Sequence, residues 1–330
     1  MADVDDRGQL LLVGALTFAV MLVALAVLLN AAIYTGNVAT RDAGPGAGQA
    51  IEYENEAASM ARTTMATLND WDNEGYADRR QNFSDTVDVW SRNARTHAAA
   101  ALADAEVEVL GDPTRGTTIE QTAERNMTSA GTQANWTVAN DTTVRAFRLN
   151  VSQDSLQEPP DDDVVDLIFG VNETPRYFQV RIDDGDDDWR VYFARDANAD
   201  DTDDDVAVRV QHDGSTVGDP CSVLADDDRV VVDITGTQVG GEHCGALAEM
   251  FDGLETPYTV SYRNGNNATG TYSLVADRRI DRLNTGADTT GATEPAATPA
   301  LYDADLRIAY RSDDVYYENE FRIAPGEADD

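Results

Sequence analysis

Residues 176–195 read RYFQVRIDDGDDDWRVYFAR, and this stretch decides the fold class. Aromatic and β-branched side chains alternate with polar ones on both sides of a run of Asp and Gly, a pattern typical of half-buried β-strands. It predicts a hairpin in which Arg176–Ile182 pairs with Trp189–Arg195 across the acidic turn. Strands of this kind bury one face each, which favours two sheets packed face to face.

Further strand pairs are predicted towards the C-terminus. Tyr258–Arg263 and Thr271–Ala276 flank the residues 264–267, Asn-Gly-Asn-Asn. Because Asn-Gly supplies the positive φ angles of a tight turn, these two segments are predicted to form a second hairpin. A third hairpin is predicted to join Leu306–Arg311 to Val315–Ile323.

Residues 107–323 are therefore predicted to form an all-β, sandwich-like domain. Within it, the segment 285–300 (TGADTTGATEPAATPA) is rich in Thr, Ala and Pro, buries little, and is predicted to be a flexible surface loop. Residues 324–330 form an acidic tail.

Upstream of residue 107 the hydrophobic period is 3.6, so residues 49–106 are predicted to be a helical pair. The first helix has apolar residues at spacings of three and four, from Tyr53 to Leu68. The second has a similar face that includes Trp90, with Asn82 or Ser84 as a candidate N-cap. A helical pair followed by an all-β domain places the chain in the α+β class.

The N-terminal region contains an apolar run, Leu10–Leu29 (LLLVGALTFAVMLVALAVLL), in which no residue is charged. Its length matches the thickness of a membrane's hydrocarbon core, so residues 9–33 are predicted to be a single transmembrane helix. Residues 1–8 precede it as a leader. Residues 34–48 end in Gly-Pro-Gly-Ala-Gly and are predicted to be a linker that interrupts the helix.

Charge predicts the orientation of this helix. Arg7 is the one basic residue before the apolar run, and acidic residues dominate after Arg41. The N-terminus is therefore predicted to be cytoplasmic and the C-terminal domain extracellular, on a single-pass protein of the cell membrane. The helical pair 49–106 would then lie close to the membrane, with membrane lipid as a partner.

The composition is strongly acidic, with 61 acidic residues against 24 basic ones and a net charge of −37; every basic residue is Arg. Abundant short carboxylates without Lys are typical of proteins that fold in concentrated salt, where charge repulsion is screened. An ordinary acidic, partly disordered protein is the alternative. Nucleic acid is excluded as a partner because no basic face exists. Schiff-base, pyridoxal and Walker-type chemistry are excluded because each needs a Lys.

Two cysteines, Cys221 and Cys244, belong to the segment predicted to be extracellular. An even count in an oxidising compartment favours one disulfide that closes the loop between them. Free thiols are a second possibility. A zinc site that adds His212 and His243 to the two sulfurs is a third, although the spacing matches no zinc template.

Residues Asp196, Asn198 and Asp200 have the spacing of the first three ligands of a calcium-binding loop. Asp201 then stands where that loop needs Gly, and Ala207 where it needs a bidentate Glu. Solvated acidic loops account for this run and for the other Asp runs. The three histidines are too scattered for a general-base constellation, and no nucleophile elbow occurs. We therefore expect no enzyme activity, catalytic residue, metal or cofactor.

Seven Asn-x-Ser/Thr sequons occur, where chance predicts about two. The excess favours an exported, N-glycosylated domain. The candidate acceptors are Asn82, Asn126, Asn135, Asn140, Asn150, Asn172 and Asn267.

The leader carries a short motif, Arg7-Gly8-Gln9, directly before the apolar run. It resembles the class III signal peptides of archaeal type IV pilins and related surface filaments. The resemblance implies that a prepilin peptidase cuts after Gly8 and that the helix starting at Gln9 packs with other pilin-like helices. Bacterial pilins carry Glu at the fifth mature position, which is Val13 here. An uncleaved signal anchor is the alternative.

The chain also resembles an uncharacterised group of membrane-anchored proteins from halophilic archaea. The resemblance rests on the leader motif, Asn30–Arg41 (NAAIYTGNVATR), Gly270–Val275 (GTYSLV) and Phe321–Glu327 (FRIAPGE). It implies a surface protein with a pilin-like start and provides no catalytic residue. From this resemblance together with the sequons and the apolar run, we expect a membrane-anchored, glycosylated, pilin-like cell-surface subunit with a structural or adhesive role. The alternative is an uncleaved, signal-anchored extracellular module for binding or envelope assembly.

Overall fold

The computed structural model describes residues 45–70, 75–158, 177–196 and 205–326. The predicted leader 1–8, the predicted transmembrane helix 9–33 and most of the linker 34–48 lie outside these residues. Among the described helices, none combines the length and the apolar character that a membrane crossing needs.

The described chain is mostly β-sheet and contains three helices, which confirms the predicted α+β composition. The helices are α1 (Pro45–Asn69), α2 (Tyr76–Ala100) and α3 (Gly245–Gly253). Two further single turns of 3₁₀-helix are Gln153–Ser155 and Gly265–Asn267.

Both helix starts differ from the prediction. Helix α1 begins at Pro45, inside the predicted linker 34–48, because the first turn of a helix has free N–H positions and tolerates a proline there. Helix α2 begins at Tyr76 after Gly75, with no side-chain cap. Asn82 and Ser84 therefore lie inside α2 and do not cap it.

The strands among the described residues form three antiparallel sheets. The three-stranded sheet consists of β1 (Asp104–Leu110), β15 (Ala304–Arg311) and β16 (Tyr316–Ile323), in that order. The six-stranded sheet has the order β3-β12-β5-β6-β7-β8, with β3 (Trp136–Thr142), β12 (Tyr258–Arg263), β5 (Phe178–Asp183), β6 (Asp188–Asp196), β7 (Asp205–His212) and β8 (Ser215–Leu224).

The seven-stranded sheet has the order β11-β10-β9-β4-β13-β2-β14. Its strands are β11 (Glu242–His243), β10 (Gln238–Val239), β9 (Arg229–Asp233), β4 (Val144–Ser152), β13 (Thr269–Ala276), β2 (Arg115–Asn126) and β14 (Ala296–Leu301).

The six-stranded and seven-stranded sheets enclose one hydrophobic core, which confirms the sandwich-like body. Fully buried side chains from both sheets meet there, among them Ile119, Phe147, Leu149, Val180, Val191, Phe193, Val208 and Leu274. Helix α3 adds Leu247 and Met250 to the same core. Burial of these alternating side chains stabilises the body, at about 25 cal/mol per Å² of apolar surface.

Two of the three predicted hairpins are confirmed. Strand β5 pairs with β6, with Val180 opposite Val191, and β15 pairs with β16, with Ile308 opposite Asn319. The second predicted hairpin is wrong, because β12 and β13 belong to different sheets. Asn264 does adopt a positive φ of 54°, but the 3₁₀ turn that follows it carries the chain across the sandwich.

The segment 285–300 is not one flexible loop. Ala296–Leu301 forms the edge strand β14, which pairs with β2 so that Ala297 lies opposite Ile119. Its Ala side chains are small but two of them are buried, and Pro299 is tolerated because an edge strand needs fewer N–H donors. The backbone amides of Thr290 and Thr293 donate to the Asp288 carboxylate and order the turn before the strand.

The two long helices pack on the three-stranded sheet and form a second core. Strand β1 begins at Asp104, so the predicted helical region 49–106 ends in a strand. The same core includes residues from β15 and β16, near the end of the chain. The predicted division into a helical region and a separate β domain therefore does not match the packing, because the last two strands join the helical layer.

Candidate functional site

A groove lies between α1, α2 and the three-stranded sheet, with Tyr310 of β15 in its lining. We call it the helix groove; Glu52, Tyr53, Glu56, Trp90 and Tyr310 are among the residues that line its cavity of about 470 Å³. A second cavity of about 760 Å³ shares Glu52, Glu56 and Trp90 with the first. Trp90 therefore contributes to two adjoining compartments of the same groove.

The floor of the helix groove is aromatic. The rings of Tyr53 and Trp90 stack with 5.3 Å between centroids, and Tyr310 lies 6.3 Å from Tyr53. These residues face each other because Tyr53 and Trp90 occupy the apolar faces of their helices and Tyr310 is on the inner face of β15. The Tyr310 hydroxyl donates to Gln49 Oε1 at 2.9 Å, which closes one end of the groove.

Tyr53 is buried, and its hydroxyl has no hydrogen-bond partner among the described residues. Burial raises the pKa of the Tyr53 phenol, so the group stays protonated. A buried hydroxyl without a partner costs free energy.

The carboxylates along α1 divide into two sets. Glu54 faces the sheet and accepts hydrogen bonds from the Tyr317 hydroxyl and from Asn319 Nδ2, the latter at 2.8 Å. The hydrogen bond with Glu54 raises the pKa of Tyr317 to about 12. Glu52 and Glu56 instead line the groove, and they form no hydrogen bond or ion pair with any described residue.

A second cluster of polar groups lies at one end of the six-stranded sheet. His212 Nε2 is 2.8 Å from Asp187 Oδ1 and 3.8 Å from Asp213 Oδ2, and its ring stacks on Trp189 at 4.0 Å. One imidazole and two carboxylates, with their ligand atoms within 4.8 Å of one another, are of a type that can hold a divalent ion. The same arrangement also arises without a metal, when a His that stacks on an indole ring forms a hydrogen bond with Asp. That no metal binds this protein therefore stays a prediction.

The two cysteine sulfurs are joined in the structure, with 5.8 Å between the Cα atoms of Cys221 and Cys244. The bond links strand β8 to the residue before α3. The zinc set considered from sequence is not assembled, because both sulfurs are in the disulfide and His212 contacts Asp187 instead. The calcium-like stretch from Asp196 lies mostly in residues 197–204, outside the described residues.

The described sequons are distributed over α2, the sandwich strands and their turns, and Asn172 lies outside the described residues. Asn126 and Asn135 are exposed, whereas Asn82, Asn140, Asn150 and Asn267 are half-buried. Asn135 Oδ1 accepts from the Asn264 amide at 2.8 Å, and Asn126 Oδ1 accepts from the Thr269 hydroxyl at 3.1 Å. Both contacts use the side-chain oxygen and leave the amide nitrogen for a glycan. The processing residues Arg7, Gly8 and Gln9 lie outside the described residues.

Sequence reasoning placed Tyr53 and Trp90 on helix faces but did not identify the groove. One feature of the sequence could have indicated the groove: Glu52 and Glu56 lie one helical turn apart, on either side of Tyr53. The grouping of Asp187 with His212 was missed because it depends on the pairing of β6 with β7.

Comparison with known proteins gives a match to a family model. Residues 4–109 match the model of a family of unknown function, DUF7261. The matched region contains the apolar run, α1, α2 and nearly all of β1, and hence the groove residues other than Tyr310. No curated protein matches the chain, and no solved structure matches it.

Proposed function

We propose that this chain is a membrane-anchored, glycosylated, pilin-like cell-surface subunit of a halophilic archaeon, with a structural or adhesive role. The observation that carries the proposal is the uncharged run Leu10–Leu29, which follows Arg7-Gly8-Gln9 and precedes a disulfide-linked acidic body. An oxidising compartment favours that disulfide, and the exposed sequons Asn126 and Asn135 favour export.

The proposal is tested on intact cells in high-salt medium. Trypsin, which cuts after Arg, is added outside, and the chain is followed by immunoblot with an antibody to the C-terminal strands. A surface subunit is degraded while a cytoplasmic marker survives, and peptides containing Asn126 and Asn135 carry glycan mass. A chain that trypsin reaches only after lysis would contradict the proposal.

The second candidate function is a binding or envelope-assembly module with an uncleaved anchor. The helix groove favours it, because aromatic rings and two unpaired carboxylates converge on one cavity next to the start of the described chain. This function predicts a stable complex with another protein after mild detergent extraction and no filaments. Electron microscopy of cells with and without the gene separates the two functions, since a filament subunit predicts filaments that disappear on deletion.

A further inference from the structure

We propose that His212, Asp187 and Asp213 form a zinc-binding site at one end of the six-stranded sheet. Sequence alone led us to expect no metal, because it does not show that these three residues meet. The proposed ion joins two hairpin turns, and its binding is independent of the surface-subunit proposal and of cleavage after Gly8.

Strand pairing brings the three residues together. Asp187 lies in the turn between β5 and β6, His212 is the last residue of β7, and Asp213 begins the turn to β8. Strands β6 and β7 are neighbours, with Trp189 directly opposite His212. The two turns therefore lie side by side, and Asp187 meets His212 although 25 positions separate them in the sequence.

The distances between the three ligand atoms fit a metal ion. His212 Nε2 is 2.8 Å from Asp187 Oδ1 and 3.8 Å from Asp213 Oδ2, and the three atoms lie within 4.8 Å of one another. Ligand atoms about 2.1 Å from a tetrahedral zinc ion are about 3.4 Å apart, which lies between the two observed distances. An ion bound there replaces the proton between Nε2 and the Asp187 carboxylate, and the imidazole proton then resides on Nδ1.

Neighbouring groups orient the ligands. The His212 ring stacks on the Trp189 indole, with 4.0 Å between the centroids and 6° between the planes, and Trp189 itself is buried. The Asp188 amide donates to Asp213 Oδ1 at 3.2 Å, which leaves Oδ2 as the oxygen nearer His212. Contacts of this kind fix the orientation of metal ligands and raise the affinity of a site.

Charge at the site favours a cation. Among the described residues, the Asp187 and Asp213 carboxylates form ion pairs with His212 alone. Two arginines of β5 and β6 pair with Asp188 instead. Two carboxylates held near each other repel, and a divalent ion offsets both charges.

The donor set identifies the class of ion. Ca²⁺ and Mg²⁺ take oxygen ligands, whereas Zn²⁺ binds imidazole nitrogen and carboxylate oxygen together. The nitrogen of His212 therefore sets this site apart from the acidic turns of the chain. The His212 side chain is 35% exposed, so an ion reaches it from solvent, and three protein ligands leave a fourth position for water.

The test is isothermal titration calorimetry of the full, chelator-treated chain in mild detergent, with Zn²⁺ as the probe and Mg²⁺ and Ca²⁺ as controls. All titrations use the same concentrated salt solution, so that competing ions affect each one equally. We expect one zinc ion per chain, bound at least about tenfold more tightly than either control. No zinc binding, or equal affinity for zinc and calcium, would overturn the proposal.

Variants locate the ion. His212→Gln and Asp187→Asn keep a polar side chain, and each should weaken zinc binding about tenfold or more. His243→Gln is the matched control and should bind zinc like the unchanged chain, because His243 is exposed on β11 and its ring nitrogen contacts the Thr237 hydroxyl. Binding that is unchanged in both site variants, or that is lost in His243→Gln, would overturn the proposal.

Thermal unfolding followed by circular dichroism separates loss of binding from loss of fold. Zinc should raise the unfolding midpoint of the unchanged chain and of His243→Gln, and leave that of His212→Gln where it is. Asp213→Asn, at the most exposed ligand, replaces any variant whose metal-free spectrum differs from that of the unchanged chain. An equal rise in site variant and control would overturn the proposal. A chain that binds no zinc but is degraded by external trypsin removes the metal proposal alone and leaves the surface-subunit proposal standing.

Discussion

Asn69, the last residue of α1, exchanges two hydrogen bonds with the backbone of Leu301 in β14. The Asn69 Nδ2 donates to the Leu301 carbonyl at 2.8 Å, and the Leu301 amide donates to Asn69 Oδ1 at 2.8 Å. The Asn69 side-chain amide therefore supplies Leu301 with the two hydrogen bonds that a neighbouring strand would otherwise make. Arg145 of β4 donates to the same carbonyl at 3.0 Å, so the helical layer and the sandwich meet at this residue.

Replacing Asn69 with Ala should destabilise the fold by roughly 1–3 kcal/mol, because it leaves the buried Leu301 N–H without its side-chain acceptor, whereas the Leu301 carbonyl keeps its hydrogen bond from Arg145. Chemical denaturation in concentrated salt measures the change in the free energy of unfolding. Asn284→Ala is the matched control, since Asn284 is exposed and its side chain makes no hydrogen bond with a described residue; a change within about 0.5 kcal/mol is expected there. Equal effects of the two changes would show that the Asn69 contact does not stabilise the fold.

Local patterns in the sequence predicted much of this fold. The alternation around Trp189 and the turn at residues 312–314 gave correct hairpins, since strand period and turn chemistry are local. The pattern could not show that Asn264 leads into a different sheet, because a tight turn within one sheet and a crossover between two sheets use the same positive φ.

Non-local contacts explain what the sequence could not predict. Ala297 belongs to a strand because β2 offers an open edge, although Ala and Pro, which make up most of β14, are depleted in strands. The groove forms because the strand carrying Tyr310, far along the chain, packs beside Tyr53. The Glu52–Glu56 pair is visible in the sequence, but its aromatic floor depends on that packing.

The net charge of −37 predicts that the fold depends on salt. At about 10 mM salt the Debye length is about 30 Å, so repulsion acts across most of the body, whereas at 1 M it is about 3 Å. Thermal unfolding followed by circular dichroism should therefore show a midpoint that rises with salt concentration.

A charge-reduced variant isolates the cause of this dependence. Asp226, Asp227 and Asp228 are exposed, and changing all three to Asn should raise the midpoint at low salt and have little effect at molar salt. A stability gain of the same size at both salt concentrations would contradict the repulsion account.

The disulfide between Cys221 and Cys244 spans a sequence separation of 23. Closing a loop of that length restricts the unfolded chain, so reduction should lower the free energy of unfolding by roughly 3 kcal/mol. Denaturation with and without a thiol-free reductant measures the difference, and the Cys221→Ala, Cys244→Ala double variant, which should not respond to reductant, is the control. Identical midpoints before and after reduction would contradict a structural role for the bond.

Asp288 orders the turn before β14. Its carboxylate accepts from the Thr290 hydroxyl and amide at 2.7 and 2.9 Å, and from the Thr293 hydroxyl and amide at 2.9 Å each. Hydrogen bonds from Thr290, then those from Thr293, hold the pKa of Asp288 well below its usual 3.8. The folded pKa is depressed, so this stabilisation is present above the usual pKa and is lost as pH falls through the folded value.

The expected result is that the Thr290 and Thr293 amides keep their protection from hydrogen exchange at pH 4 and lose it progressively in stronger acid. The hydrogen-exchange rates at the different pH values are compared after each is divided by the intrinsic exchange rate at that pH. Asp288→Asn should lower the protection already at neutral pH, and Asp252→Asn, an exposed change on α3, should leave it unchanged. Protection in Asp288→Asn equal to that of the unchanged chain would contradict this role for the carboxylate.

The most direct test of the surface-subunit proposal is the intact mass and N-terminal sequence of the chain extracted from native membranes. The proposal predicts a mature chain that starts at Gln9, and predicts that Gly8→Val leaves the leader attached. A chain that starts at Met1 or Ala2 would contradict processing by a prepilin peptidase and leave the uncleaved, signal-anchored binding module as the alternative.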